Sequence, residues 1–82
     1  MEDRIYQINR EEFGSKGDEI YENIKPLLEP EHKGEIVAIE VESGDYFLAE
    51  TVIEAWQRAK GKYPDKVFYF VRIGYPVVHI FR

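Results

Sequence analysis

The chain has 82 residues, of which 44% are hydrophobic and 33% charged, and its formal net charge is −5. This length predicts a single domain over residues 1–82 in which the large apolar side chains are needed for the core, and the composition excludes a disordered chain. There is no cysteine, which excludes disulfides, thiolate nucleophiles and sulfur-ligated metal sites.

The amino-terminal residues are acidic and contain no apolar signal-like run, and no stretch approaches the roughly 18 apolar residues of a membrane helix. We therefore expect a cytoplasmic protein with no membrane association. Charge is unevenly distributed, because residues 1–57 carry fifteen acidic and five basic side chains, whereas residues 58–82 carry one acidic and six basic ones. The basic end also holds half of the aromatic residues, so we expect the acidic and basic segments to face each other within the fold or across a dimer.

The first elements in chain order are a doubtful strand at residues 4–8 and a helix. Asn9 and Glu12 have the spacing of a capping box. Gly14 and Gly17 weaken the helix and Pro26 removes a hydrogen bond, which leaves open a kink or a shorter helix that begins near Asp18. A 3.6-residue periodicity predicts one apolar helix face, on which Gly17 could allow a neighbouring element to approach closely. That face comprises Phe13, Gly17, Ile20, Tyr21, Ile24, Leu27 and Leu28.

A polar connection at residues 29–35 leads into a predicted β-hairpin. In "IVAIEVE", Val37, Ile39 and Val41 alternate with more polar neighbours, which is typical of a half-buried strand. Gly44 lies in the turn sequence "SGD", and "YFLA" forms the second arm.

The second predicted helix begins at a capping box formed by Thr51 and Glu54 and ends near Lys60 to Lys62. The sequence "YPD" at residues 63–65 then stops it. Its predicted inward face comprises Val52, Ala55, Trp56, Ala59 and Tyr63.

The chain closes with "KVFYFVRIGYPVVHIFR". Alternation predicts a central strand with Phe68, Phe70 and Arg72 on one face, and "GYP" at residues 74–76 separates it from a shorter edge strand at residues 77–81. The predicted fold is α+β, a mostly antiparallel sheet of four to five strands with two helices on one face, in the order (β)-α-β-β-α-β-β.

Few residues suggest catalytic or metal chemistry. The cluster of Glu29, Glu31, His32 and Glu35 is typical of a solvated loop, and the chain lacks a nucleophile motif and a phosphate-binding loop. We therefore predict a protein that is not an enzyme and has neither a metal nor a cofactor.

A strand that is apolar on both faces, with helices on one face only, would leave an exposed apolar surface, which favours a homodimer or an unknown protein partner. The candidate residues are Phe68, Phe70, Arg72, Tyr75, His79 and Phe81. Arg72 would either pair with a carboxylate such as Glu40 on a neighbouring strand or anchor an anion or carboxylate at an interface. One alternative is single-stranded nucleic acid stacked on the aromatic side chains and flanked by Lys60, Lys62, Lys66 and Arg82. A second alternative is a small-ligand sensor or an enzyme.

The segments "EHKG", "SGDYF", "KYPDK" and "RIG" resemble a family of small prokaryotic proteins of unknown function, with similarity from Glu11 onward. The resemblance implies no activity and no catalytic residues. Gly17 and Gly61 depart from the helix-forming residues expected at these positions.

Overall fold

The computed structural model describes residues 10–75, which form two helices and a three-stranded antiparallel sheet. The elements are α1 (Arg10–His32), β1 (Ile36–Glu40), β2 (Tyr46–Ala49), α2 (Val52–Lys62) and β3 (Phe68–Arg72). The strand order is β2-β1-β3, and β1 pairs antiparallel with both neighbours. The α+β class is therefore confirmed. The further strands predicted at residues 4–8 and 77–81 lie outside the described residues, as does Asn9.

Helix α1 is longer than the sequence suggested. It is one α-helix of 23 residues that includes Pro26 and Pro30, so the alternative of a start near Asp18 is wrong. The polar connection is correspondingly shorter, because the helix continues to His32. Each proline removes one backbone hydrogen bond, and packing of the apolar face on the sheet offsets that loss.

The apolar face of α1 is largely as predicted. Tyr21 and Leu28 are buried, and Phe13, Ile20 and Ile24 pack around them. Leu27 is the exception, since 72% of it is exposed.

Strand β1 is the centre of the described sheet and is buried on both faces, so the prediction of a half-buried strand is wrong. Val37 and Ile39 pack in the cluster that contains Tyr21 of α1, whereas Ile36 and Ala38 pack in the cluster that contains Ala55 of α2. Because neighbouring residues of a strand point to opposite faces, the two helices cover opposite faces of the sheet. The prediction of both helices on one face is therefore also wrong.

Glu40 explains why the alternation along β1 was misleading. Its side chain is only 2% exposed, and the carboxylate accepts the backbone N–H groups of Glu42 at 3.1 Å and Ser43 at 2.9 Å. These bonds replace water around the buried carboxylate and hold the turn between β1 and β2.

Helix α2 has the predicted ends, and its inward face agrees with the prediction in part. Thr51 is its N-cap, and the hydroxyl accepts the N–H of Glu54 at 3.2 Å, as the capping box predicts. Ala55 and Ala59 are fully buried, whereas Val52 and Trp56 are exposed. The two alanines are small enough for the helix to lie close to the sheet, so they form the centre of the contact.

Candidate interaction surface

Strand β3 lies at one edge of the described sheet. The edge strand that the sequence predicts beyond it falls outside the described residues, so the central position predicted for β3 stays a prediction. Phe68 is buried, Phe70 is half-buried, and Arg72 is exposed. The rings of Phe68 and Phe70 meet edge to face, with centroids 6.5 Å apart. Tyr75 follows the strand and is 51% exposed. His79 and Phe81, the other two predicted surface residues, lie outside the described residues.

Arg72 does not pair with Glu40, contrary to one of the two sequence interpretations. The register places Arg72 opposite Ile36, whereas Glu40 stands opposite Phe68 at the other end of the strand. The Arg72 guanidinium instead donates to the carbonyl oxygen of Gly34 at 3.0 Å. Arg72 therefore ties β3 to the segment that precedes β1.

Three large apolar side chains of α2 are exposed, which the sequence analysis did not predict. Val52 is 47% exposed, Ile53 67% and Trp56 42%. These residues are one, three and four positions apart, so they lie next to each other on the helix surface, and we call them the α2 patch. The ammonium group of Lys60 sits 4.5 Å from the centroid of the Trp56 ring at the border of the patch.

The α2 patch stands beside the exposed part of β3. Helix α2 packs mainly over β1 and β2 and only slightly over β3. On one flank of the helix, the Arg58 guanidinium donates to the carbonyl oxygen of Leu48 in β2. At 100° per residue, Val52 and Trp56 project from the opposite flank, which is the β3 side, where Phe70 is only half covered.

One sequence signal could have revealed this patch. Ala55 and Ala59 are four residues apart, and a pair of small residues at this spacing permits close packing. If that pair marks the centre of the inward face, Trp56 is rotated by 100° from Ala55 and Ile53 lies near the outer side. Because Val52 and Trp56 are hydrophobic, we placed both side chains on the inward face, whereas both are exposed.

Charged residues of the basic segment pair with acidic residues of the β1–β2 turn. Lys62 contacts Asp45 at 3.0 Å, and Lys66 contacts Glu42 at 2.7 Å. The Tyr63 hydroxyl also donates to Asp45. The acidic and basic segments thus face each other within the fold, which is one of the two arrangements predicted.

These contacts shift the pKa values of both carboxylates. The hydrogen bond from Tyr63, and after it the one from Lys62, hold the pKa of Asp45 below its ordinary value. The hydrogen bond and charge of Lys66 lower the pKa of Glu42. In return, the hydrogen bond and charge of Asp45 raise the pKa of Lys62, and those of Glu42 raise the pKa of Lys66.

Four segments singled out in the sequence meet in pairs at the two ends of the sheet. "SGDYF" contacts "KYPDK" through the bonds of Asp45 with Lys62 and Tyr63. "EHKG" meets "RIG" where Gly34 N–H donates to the Ile73 carbonyl and Ile73 N–H donates to the Glu35 carbonyl, both at 2.8 Å. Two residues opposite one is the pattern of a β-bulge. These segments therefore have structural roles at turns and strand ends.

One groove of the described residues lies beside the carboxyl-terminal end of α1. This groove, of about 370 Å³, is lined by Pro26, Glu29, Pro30, Lys33 and Gly74. His32 bonds to Glu35 at 3.1 Å through Nδ1. Within residues 10–75 no cluster of three or more histidine or carboxylate side chains could hold a metal ion. Neither of the two described helices has the length and apolar character needed to cross a bilayer.

Comparison with known proteins gives no match to a family model, a curated protein or a solved structure.

Proposed function

We propose that this protein is a non-catalytic interaction module of the cytoplasm that acts as a homodimer, and that the α2 patch forms the centre of the dimer contact. The observation that carries the proposal is the exposure of Val52, Ile53 and Trp56 side by side on one helix. Contiguous exposed apolar side chains usually mark a contact with another protein, and tryptophan is enriched among the residues that dominate such contacts.

A second copy of the chain fits this surface because a two-fold contact buries the same patch on both protomers. One association step then buries the exposed side chains of both copies of the patch. We also propose, as the sequence predicts, that the sheet has four to five strands, which extends the surface beyond β3.

The nucleic-acid alternative has less support. Of the four cations expected to flank the bases, Lys62 and Lys66 are in ion pairs with Asp45 and Glu42, and Lys60 lies over Trp56. Phe68, one of the two expected stacking side chains, is buried. Arg82 lies outside the described residues.

The test uses Trp56, the single tryptophan of the chain, as a reporter of its own environment. If the α2 patch is the dimer contact, the emission of Trp56 shifts to shorter wavelength as the protein concentration rises. Ile53→Ala removes apolar area from the patch and keeps the reporter, so it should raise the concentration at the midpoint of the shift by about tenfold.

Leu27→Ala is the matched control, since Leu27 is exposed to a similar extent but lies on α1, across the sheet from α2. It should leave the midpoint unchanged. An emission maximum that does not depend on concentration would contradict the proposal, as would a midpoint that responds to Leu27→Ala and not to Ile53→Ala. Binding of a labelled single-stranded oligonucleotide that weakens with salt would favour the nucleic-acid alternative instead.

A further inference from the structure

Lys60 continues a row of side chains that belongs to the α2 patch. Val52, Trp56 and Lys60 are spaced by four residues, so they follow one another along one side of the helix. The ammonium group of Lys60 is 4.5 Å from the centroid of the Trp56 ring. The other two cations of α2 are bound elsewhere, since Arg58 donates to β2 on the opposite flank and Lys62 pairs with the β1–β2 turn. Lys60 is therefore the positive charge at the carboxyl-terminal end of the patch.

Glu50 supplies a negative charge at the other end of the patch. It is exposed and stands two residues before Val52. Glu54 is four residues before Arg58 and so lies on the opposite flank with it. Among residues 10–75 neither Glu50 nor Lys60 takes part in an ion pair. The apolar patch is thus bordered by a carboxylate at its amino-terminal end and by an ammonium group at its carboxyl-terminal end.

This order of charges distinguishes the two ways in which two copies of α2 can pack about a two-fold axis. If the helices run parallel, Lys60 meets Lys60 of the partner and Glu50 meets Glu50. If they run antiparallel, each Lys60 meets Glu50 of the partner, and the helix dipoles attract each other. Like charges brought together across an interface are unfavourable, whereas opposite charges fix the register.

We propose that the homodimer holds its two copies of α2 antiparallel, with Lys60 of each protomer paired with Glu50 of its partner. This arrangement rests on the homodimer proposed above and adds the orientation of its protomers. Because the contact is two-fold, the same ion pair forms at both ends of the joined apolar patches. The pairs then border an apolar centre, as in protein interfaces with a polar rim.

The spacing along α2 agrees with this arrangement. The level midway between Glu50 and Lys60 is that of Ala55, and the patch from Val52 to Trp56 is centred one residue before it. Helices aligned on their patches therefore place Lys60 within two residues, or about 3 Å along the axis, of the level of the partner's Glu50. The long side chain of lysine spans this offset.

The test compares charge-reversed variants of the full-length chain by sedimentation equilibrium, which measures mass and does not depend on the emission of Trp56. Lys60→Glu and Glu50→Lys each place like charges together at both ends of the contact. Each should raise the dissociation constant of the homodimer by about tenfold at low salt. The variant that carries both changes regains opposite charges at both ends, so its dissociation constant should return to within about threefold of the wild type.

Lys16→Glu is the matched control, because it changes the net charge as Lys60→Glu does but lies exposed on α1, across the sheet from α2. It should leave the dissociation constant within about twofold of the wild type. The double variant also controls for the loss of the contact between Lys60 and the Trp56 ring, since it lacks that contact as well.

Two results would overturn the antiparallel arrangement and leave the homodimer in place. One is single variants that associate as tightly as the wild type, which is expected of parallel helices because one pair of like charges replaces another. The second is a double variant that associates as weakly as the single ones. A wild type that keeps the protomer mass at every concentration would contradict the homodimer and the arrangement together, so the two failures are distinguishable.

Discussion

Gly17 is the residue at which helix α1 and strand β3 come closest. A β-carbon built on Gly17 would lie 2.4 Å from Cγ of Tyr69, so the tyrosine ring rests directly on the helix backbone. Phe13 packs edge to face on the same ring, with centroids 5.9 Å apart. The Tyr69 hydroxyl donates to Asp18, and burial together with this bond raises the pKa of the Tyr69 phenol. The close approach that the sequence suggested for Gly17 is therefore confirmed.

Replacement of Gly17 by alanine should destabilise the protein although alanine is the better helix former. The added methyl group would overlap the Tyr69 ring, and relief of this overlap requires a shift of the ring or of the helix. We expect a loss of about 2 kcal/mol in the free energy of unfolding, measured by urea denaturation.

Gly61→Ala is the matched control, because Gly61 is also helical and a β-carbon there meets nothing within 4 Å. This variant should gain about 0.5 to 1 kcal/mol. If both variants are equally stabilised, Tyr69 does not rest on Gly17 in solution.

Asp45 should titrate below its ordinary pKa of 3.8 because of the hydrogen bonds from Tyr63 and Lys62. A carboxylate whose pKa is lowered in the folded state contributes stability above its unfolded pKa, and this contribution is lost as the pH falls through the folded value. The contact between the β1–β2 turn and the end of α2 should therefore weaken only under strong acid.

The measurement is an NMR titration of the Asp45 carboxyl carbon. Tyr63→Phe removes the hydrogen bond that lowers the pKa most, and Lys62→Met removes a further hydrogen bond and a positive charge, so each variant should raise the midpoint towards 3.8. A midpoint at or above 3.8 in the wild type would show that the turn is not held in this way.

At the scale of the elements, local signals placed the helices and strands. The capping box at Thr51 gave the start of α2, and alternation separated Val71 from Phe70 and Arg72 in β3. These predictions rest on chemistry within a few residues, where sequence alone is informative. The end of α1 was harder to predict from the sequence, because proline is normally unfavourable in a helix interior. Only the packed structure shows that Pro30 is tolerated there.

The orientation of the elements depended on contacts that the sequence does not record. The prediction placed Ala55, Ala59, Val52 and Trp56 inside, but only the two alanines are buried, because the short distance between helix and sheet admits small side chains. Glu40 suggested a solvated face on β1, yet backbone N–H groups of the following turn satisfy the buried carboxylate. The interaction surface was consequently placed on β3 and the residues that follow it, and the α2 patch was missed.

For the whole molecule, the described chain forms three layers, with α1 and α2 on opposite faces of one sheet. Strand β1 lies at the centre, and its residues from Ile36 to Glu40 are buried. In so short a chain the layer over β1 and β2 is supplied by one 11-residue helix whose buried residues are two alanines. The large apolar side chains of α2 are left outside, which provides the area proposed for association.

The most direct test of the homodimer is the molar mass in solution, measured by light scattering during a dilution series. The protomer has a mass of 9.7 kDa. We predict a mass twice that value at high concentration, decreasing towards the protomer mass on dilution, with a higher transition concentration for Ile53→Ala. A mass of 9.7 kDa at every concentration up to about 1 mM would contradict the homodimer.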